Sequence, residues 1–174
     1  MPTTPTDGIA KTVGDRLRDR GETLSVAESL TGGRVCVRLT NVSGASDYVD
    51  RGIVAYSNTA KQQELGVSRE SLDADGAVSA SVAREMARGI RDAAGTTWGV
   101  STTGIAGPTG GTAEKPVGLV YVGVAYAGPW GSESSFARAD RHVFDGDRQA
   151  VAKQSATAAL DALADAIDDV EADD

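Results

Sequence analysis

Hydrophobic residues recur four apart at Ile9, Val13 and Leu17 and the run stops at Gly21. That spacing predicts an amphipathic helix opening at Thr6, with a Thr or Asp cap and a glycine stop. Residues 23–27 are short, apolar and β-prone, and lead through Glu28-Ser29-Leu30-Thr31-Gly32-Gly33 into a helical run carrying Val35, Val37, Leu39 and Val42. Residues 52–56 predict a second strand, followed by Asn58 as a cap and a short helix through Lys61 to Leu65, stopped at Gly66. Val82, Met86 and Ile90 mark a helix over residues 79–94 with Gly95 just beyond it. Residues 97–103 read as a buried strand that delivers the chain into a glycine-rich loop at 104–111. Residues 118–127 and the more alternating 134–144 predict two strands paired through the Gly128-Pro129-Trp130-Gly131 turn. Asp145 is the expected cap of a last helix reaching about Val170, with an acidic, solvated tail from Asp168 to Asp174.

Strands alternating with helices, then a hairpin and a helix, imply an α/β fold. Its expected form is three-layered: a mixed β-sheet, parallel first and with an antiparallel hairpin at one edge, flanked by helices. A chain of 174 residues is one domain's worth against roughly 150 per domain, with residues 1–5 and 171–174 expected to fray. No repeat at solenoid periods interrupts it.

Charge and composition narrow the function. With 17 basic and 25 acidic residues the formal net charge is −8, which argues against nucleic acid as partner because phosphate binding needs a clustered Lys/Arg footprint. No apolar run reaches the roughly 18–20 residues that cross a bilayer, so no membrane partner is expected. The N-terminus lacks a signal-like apolar segment, and a cytoplasmic location is expected. Only four of the basic residues are lysine, and Asp outnumbers Glu 17 to 8, a balance suited to a salt-adapted proteome. One cysteine, Cys36, and one histidine, His142, leave no disulfide, no thiolate cluster and no evident metal site. His142 reads as a surface or edge residue and Cys36 as a small core residue, while Trp98, Trp130, Phe136, Phe144 and Met86 read as core or hairpin packing. Tyr121 and Tyr126 lie on opposite faces of their strand, so at most one of them lines a site.

In open α/β sheets ligands bind beyond the carboxyl ends of the strands. Three turns lie there. In the first, Ser29 sits at a strand-to-helix turn where helix-start amides could hold an oxyanion or phosphate, although Ser29 or Thr31 could equally serve as a cap. The second places Tyr56 and Lys61 around a helix start, an unfavourable place for a cation. A lysine packed against apolar surface loses proton affinity and can act as base for a serine, although the same lysine could also be solvated on a short surface helix. The third, residues 103–111, offers amides that can converge on an anion but lacks the Lys-Ser/Thr ending of a nucleoside triphosphate loop. Arg148, in Asp145-Gly146-Asp147-Arg148, is a phosphate ligand or a surface ion-pair partner.

Together these turns, with Gly76-Ala77-Val78-Ser79, Glu114-Lys115-Pro116-Val117-Gly118 and Gly146-Asp147-Arg148, resemble the CinA C-terminal domain family from about residue 8 to residue 165. The resemblance implies a nicotinamide-nucleotide amidohydrolase that turns nicotinamide mononucleotide and water into nicotinic acid mononucleotide and ammonia, without a cofactor or metal. It implies Ser29 as nucleophile, Lys61 as its base and Tyr56 as a supporting phenol. Thr31, Gly32, Gly33, Thr103, Gly104 and Gly107 would hold the oxyanion and the nucleotide, and Arg148 would contact phosphate, reaching a neighbouring subunit in a homo-oligomer. Leu30 stands where the family often has cysteine, and Lys153 where relatives usually carry arginine. Larger members add an N-terminal nucleotide-hydrolase-like domain, which has no counterpart in this sequence. A non-catalytic pyridine-nucleotide-binding or protein-interaction module, or an amidase for another carboxamide, are the alternatives.

Overall fold

The structure is a computed structural model that describes residues 5–173. Helix α1 (Pro5–Arg20) leads into β1 (Leu24–Glu28), α2 (Arg34–Thr40), a 3-10 turn (Ala45–Asp47) and β2 (Val49–Val54). Then come α3 (Asn58–Leu65), α4 (Arg69–Asp75), α5 (Ala80–Ala94), β3 (Trp98–Gly104), β4 (Leu119–Tyr126), β5 (Phe136–Val143) and α6 (Arg148–Asp173). The five strands form one sheet in the order β2-β1-β3-β4-β5. β1 pairs in parallel with both β2 and β3, while β3 with β4 and β4 with β5 are antiparallel. The expected mixed three-layer α/β fold is therefore the observed one, with the hairpin at one edge.

Side-chain alternation along β1 explains the layers. Leu24 and Val26 enter the larger core, which they share with Val13 and Leu17 of α1, Val35 and Leu39 of α2, and Leu160, Leu163 and Ile167 of α6. Ala27 points to the opposite face and joins Leu65 of α3 with Val82, Met86 and Ile90 of α5. Helix α5 lies close against that face. A Cβ at Gly99 would come within 2.1 Å of the Ala87 carbonyl oxygen, and one at Gly123 within 2.3 Å of that of Ala83, so strand glycines set the helix-to-sheet distance. At the far end of the sheet Trp98 is fully buried, donates from Nε1 to Glu22 at 2.7 Å and packs its ring 4.6 Å from that of Tyr126.

Several expectations need correction. Helix α1 already includes Thr6 and Asp7, so its cap and most of the expected frayed N-terminal stretch lie outside the described residues. Helix α2 stops at Thr40, short of Val42, and Val37 on it is exposed. Strand β2 begins earlier than its apolar stretch because main-chain pairing with β1 extends to Val49, and it ends before Ala55. The cap of α3 is Ser57, whose hydroxyl accepts from the Ala60 amide, and Asn58 is already helical. Asp147, not Asp145, caps α6 by accepting from the Ala150 amide at 2.9 Å. The acidic stretch through Asp173 continues α6 rather than forming a loose tail, while Asp174 lies outside the described residues. Helix α4 and the 3-10 turn at 45–47 were not expected at all; α4 has no buried residue, so no apolar stripe announces it, only its Ser68 cap. Trp130 is fully exposed in the loop between β4 and β5 and packs in neither core nor hairpin. No helix among the described residues is long and apolar enough to cross a membrane.

Candidate active site

Ser29 directly follows β1, the strand between β2 and β3, at the carboxyl end of the parallel part of the sheet. Its amide donates to the Thr102 carbonyl at 3.0 Å and its carbonyl accepts from Gly32 at 3.1 Å, which closes a tight turn. Gly33 then takes φ 100°, a conformation costly for any side chain, and lets the chain turn into α2. The donors at the start of α2 are already engaged. The fully buried Glu28 carboxylate accepts from the amides of Gly33 at 2.9 Å, Val35 at 3.2 Å and Cys36 at 2.9 Å. A carboxylate at a helix N-terminus answers both the orphan N–H groups and the positive dipole end. The expected oxyanion hole at Gly32 and Gly33 is thus not available, because both amides have acceptors within the protein.

Lys61 projects from the first turn of α3 and is only 2% exposed. Its Nζ lies 3.1 Å from Ser29 Oγ and donates to the carbonyls of Ala55 at 2.9 Å and Tyr56 at 3.2 Å. All three partners are neutral. Burial lowers the pKa of this amine below its usual value of 10.5, since an ammonium taken out of water without a counter-charge loses its solvation. Nζ donates to all three partners, so loss of one proton would leave a lone pair facing the serine hydroxyl, with the other two N–H groups still held by the carbonyls.

The pair opens into a cavity of about 260 Å³ lined by Tyr56, Asn58, Ala77, Val78, residues 103–107, Thr109, Gly110 and Arg148. The fully buried Thr103 donates to the Ala77 carbonyl at 2.7 Å and ties the 76–79 segment to the sheet. Arg148 spans the cavity's rim, donating to the Gly107 carbonyl at 2.9 Å and to the Tyr56 phenol oxygen at 2.6 Å. The Tyr56 phenol therefore contacts Arg148, while the tyrosine reaches Lys61 only through its main-chain carbonyl.

Ser29, Lys61, Tyr56, Thr103, Gly104, Gly107 and Arg148 thus converge on one cavity. Thr31 does not line it, and its hydroxyl is buried 2.7 Å from that of Thr102. Gly32 and Gly33 line a neighbouring groove with Arg34, Gln149 and Lys153. His142 stands on the edge strand β5 with its ring stacked on Phe144, beside a groove of about 410 Å³ that contains no nucleophile and base in contact. Glu28, Asn58, Ala77 and Val78 are the neighbours that spacing alone did not single out. Glu28 carried a readable signal, an acid just before a glycine turn into a helix. Among the described residues no three His, Cys, Asp or Glu side chains are grouped to hold a metal ion.

Residues 6–167 match the model of the CinA C-terminal domain. The chain belongs to the CinA C-terminal domain family. It is 50% identical over 163 residues to a CinA-like protein of Nostoc, covering 90% of this chain and 38% of that one. A CinA-like protein of Salinibacter ruber is 52% identical over 149 residues, covering 86% of this chain and 34% of the relative. The chain thus spans little more than a third of the curated relatives it matches. Among solved structures, the competence/damage-inducible protein of Agrobacterium tumefaciens superposes with a TM-score of 0.87 at 35% identity, covering 97% of this chain and 99% of that one. The competence damage-inducible protein A of Klebsiella pneumoniae superposes with a TM-score of 0.85 at 31% identity, covering 93% and 96%.

Proposed function

We propose that this CinA-family domain hydrolyses a carboxamide, with Ser29 as nucleophile and Lys61 as base, and that its substrate is nicotinamide mononucleotide. The observation that carries the chemistry is the buried, carboxylate-free amine 3.1 Å from the only serine hydroxyl it touches. Such an amine, its proton affinity lowered by burial, is the proposed acceptor of the serine proton. The choice of substrate follows from the family resemblance.

In the proposed reaction Ser29 Oγ attacks the carboxamide carbon as its proton passes to Lys61 Nζ. The C–N bond then breaks, Lys61 returns that proton to the departing nitrogen, and ammonia leaves an ester on Ser29. Water adds to the ester with Lys61 again as base, which frees the carboxylic acid and restores the serine. The positive nicotinamide ring further disfavours an ammonium beside it. With the α2 amides held by Glu28, the oxyanion is assigned to main-chain N–H groups of the 104–110 loop, where Ile105 is already bonded to Leu119. Arg148, at the rim, is the proposed contact for the phosphate.

The test is ammonia release from nicotinamide mononucleotide by the wild type, Ser29→Ala and Lys61→Ala at low and high salt. Release by the wild type, lowered at least roughly a thousandfold in both variants, is the expected result. No release by a folded wild type at either salt concentration overturns the assignment. Binding of the nucleotide without release then identifies a binding module.

A further inference from the structure

The cavity has two walls that come from different parts of the chain. One is the 104–110 stretch of the glycine-rich loop; the other is Ala77 and Val78, in the connection from α4 to α5. We propose that Lys115 is a positioning residue of this cavity, a latch whose ammonium ties the loop that forms one wall to the segment that forms the other. The inference rests on reading the cavity as the substrate site.

Lys115 Nζ donates to the main-chain carbonyl of Asp75, forty residues away. Asp75 is the last residue of α4, so that oxygen belongs to the carbonyls a helix end leaves without intrahelical partners, at the negative end of its dipole. The Asp75 carboxylate is engaged elsewhere, accepting from the Ser81 hydroxyl at 2.6 Å. What Lys115 reads is therefore the path of the main chain. Gly76 forms the seat: it turns the chain at φ 75°, and a Cβ there would lie 3.1 Å from the ammonium.

The lysine stem rises from a fixed base. Thr112 and Lys115 close a turn on each other, the Lys115 amide donating to Thr112 Oγ1 at 3.0 Å and the Thr112 amide to the Lys115 carbonyl at 2.7 Å. From that turn the loop returns to the sheet, where the Gly118 amide donates to the Ile105 carbonyl at 2.7 Å. Lys115 holds the 75–77 segment from the loop side, and Thr103 holds the same segment from the sheet side. Ser29 and Lys61, by contrast, are placed by β1 and α3, neither of which needs the latch. Loss of the ammonium loosens the fit of substrate while leaving the reacting pair in place.

The experiment compares the wild type with Lys115→Met, which keeps the stem, and Lys115→Arg, which keeps the charge. Amide hydrogen exchange over residues 75–79 and 104–118 is measured without ligand, and kcat and KM are measured with nicotinamide mononucleotide. Lys115→Met should exchange faster in both segments, with KM raised roughly five- to tenfold and kcat within about twofold. Lys115→Arg should restore both. Unchanged exchange in Lys115→Met overturns the latch whatever the substrate proves to be, and so does faster exchange with KM unmoved. If the wild type releases no ammonia, that failure falls on the proposed reaction, and the exchange of the two segments alone decides the latch.

Discussion

Replacing Lys61 by Met separates the electrostatic cost of the buried amine from the packing of its stem. The side chain is 2% exposed and lies among two carbonyls and a hydroxyl, with burial depressing its proton affinity below the ordinary 10.5. Between the folded-state pKa and 10.5 the unfolded chain binds more protons at this position than the folded chain. Stability therefore rises with pH across that window, by up to about 1.4 kcal/mol per pH unit for one group. Below the folded pKa the cost of holding Lys61 neutral, or of burying it charged, is at its largest; above 10.5 it has vanished. Met at this position keeps most of the packing and removes the proton. It also leaves the carbonyls of Ala55 and Tyr56 without their donor, an offset of about 1–3 kcal/mol that does not change with pH. Urea unfolding of both proteins from pH 6 to pH 10.5 should give a stability difference that moves in favour of the wild type as pH rises. The pH at which that movement begins should coincide, within about one unit, with the acid limb of wild-type kcat/KM, if the same amine is the base as proposed. A difference that stays constant across the range would refute the argument that Lys61 is desolvated in the folded protein.

Three other substitutions and one labelling experiment probe the same neighbourhood. Glu28→Ala leaves the amides of Gly33, Val35 and Cys36 without their acceptor and should lower unfolding free energy by about 2–4 kcal/mol in urea titrations. Gly52→Ala places a Cβ 2.1 Å from Cys36 Sγ and should cost about 1–3 kcal/mol, with Cys36→Ala in the same chain recovering most of it. Tyr56→Phe removes the oxygen that Arg148 donates to and should raise KM several-fold with kcat nearly unchanged. Burial and the Glu28 carboxylate push the Cys36 thiol up to about 12, so iodoacetamide at pH 8 should label the native protein far more slowly than the urea-unfolded one.

Most of the fold could be read from residue order because its elements carry their own boundaries. Ser79, with Val82, Met86 and Ile90 behind it and Gly95 at the end, is a complete helix statement, and α5 is found there. Where pairing rather than pattern decides, the sequence is silent: Asp50 and Arg51 look like loop residues, yet β2 runs through them because β1 pairs with Val49 and Arg51 on either side of an irregularity at Asp50. Helix α4 escaped for a related reason, since nothing on it is buried. The contact between Ser29 and Lys61 was legible because a chain with a single histidine and few lysines leaves little choice of partner. The Gly32 and Gly33 amides are engaged, contrary to expectation, because a free helix start and one already capped from within look alike in sequence. Only the path of the Glu28 side chain distinguishes them.

That difference bears on why a lysine is the base in the proposed reaction. A serine at the start of a helix with free amides would sit in a positive field, which helps hold an oxyanion and also works against a cationic partner. Glu28 places a full negative charge at the start of α2, one residue before Ser29, and takes up the helix donors. The electrostatic work around Ser29 then passes to the opposite side, where Lys61 approaches from α3 with main-chain carbonyls as its remaining partners. Carbonyl oxygens orient the amine without supplying a full counter-charge, and burial lowers its pKa. A carboxylate added to the cavity that Lys61 lines, as in Asn58→Asp, should therefore raise the Lys61 pKa and shift the acid limb of kcat/KM upward. An unmoved limb in a folded variant would mean that a group other than Lys61 takes the serine proton.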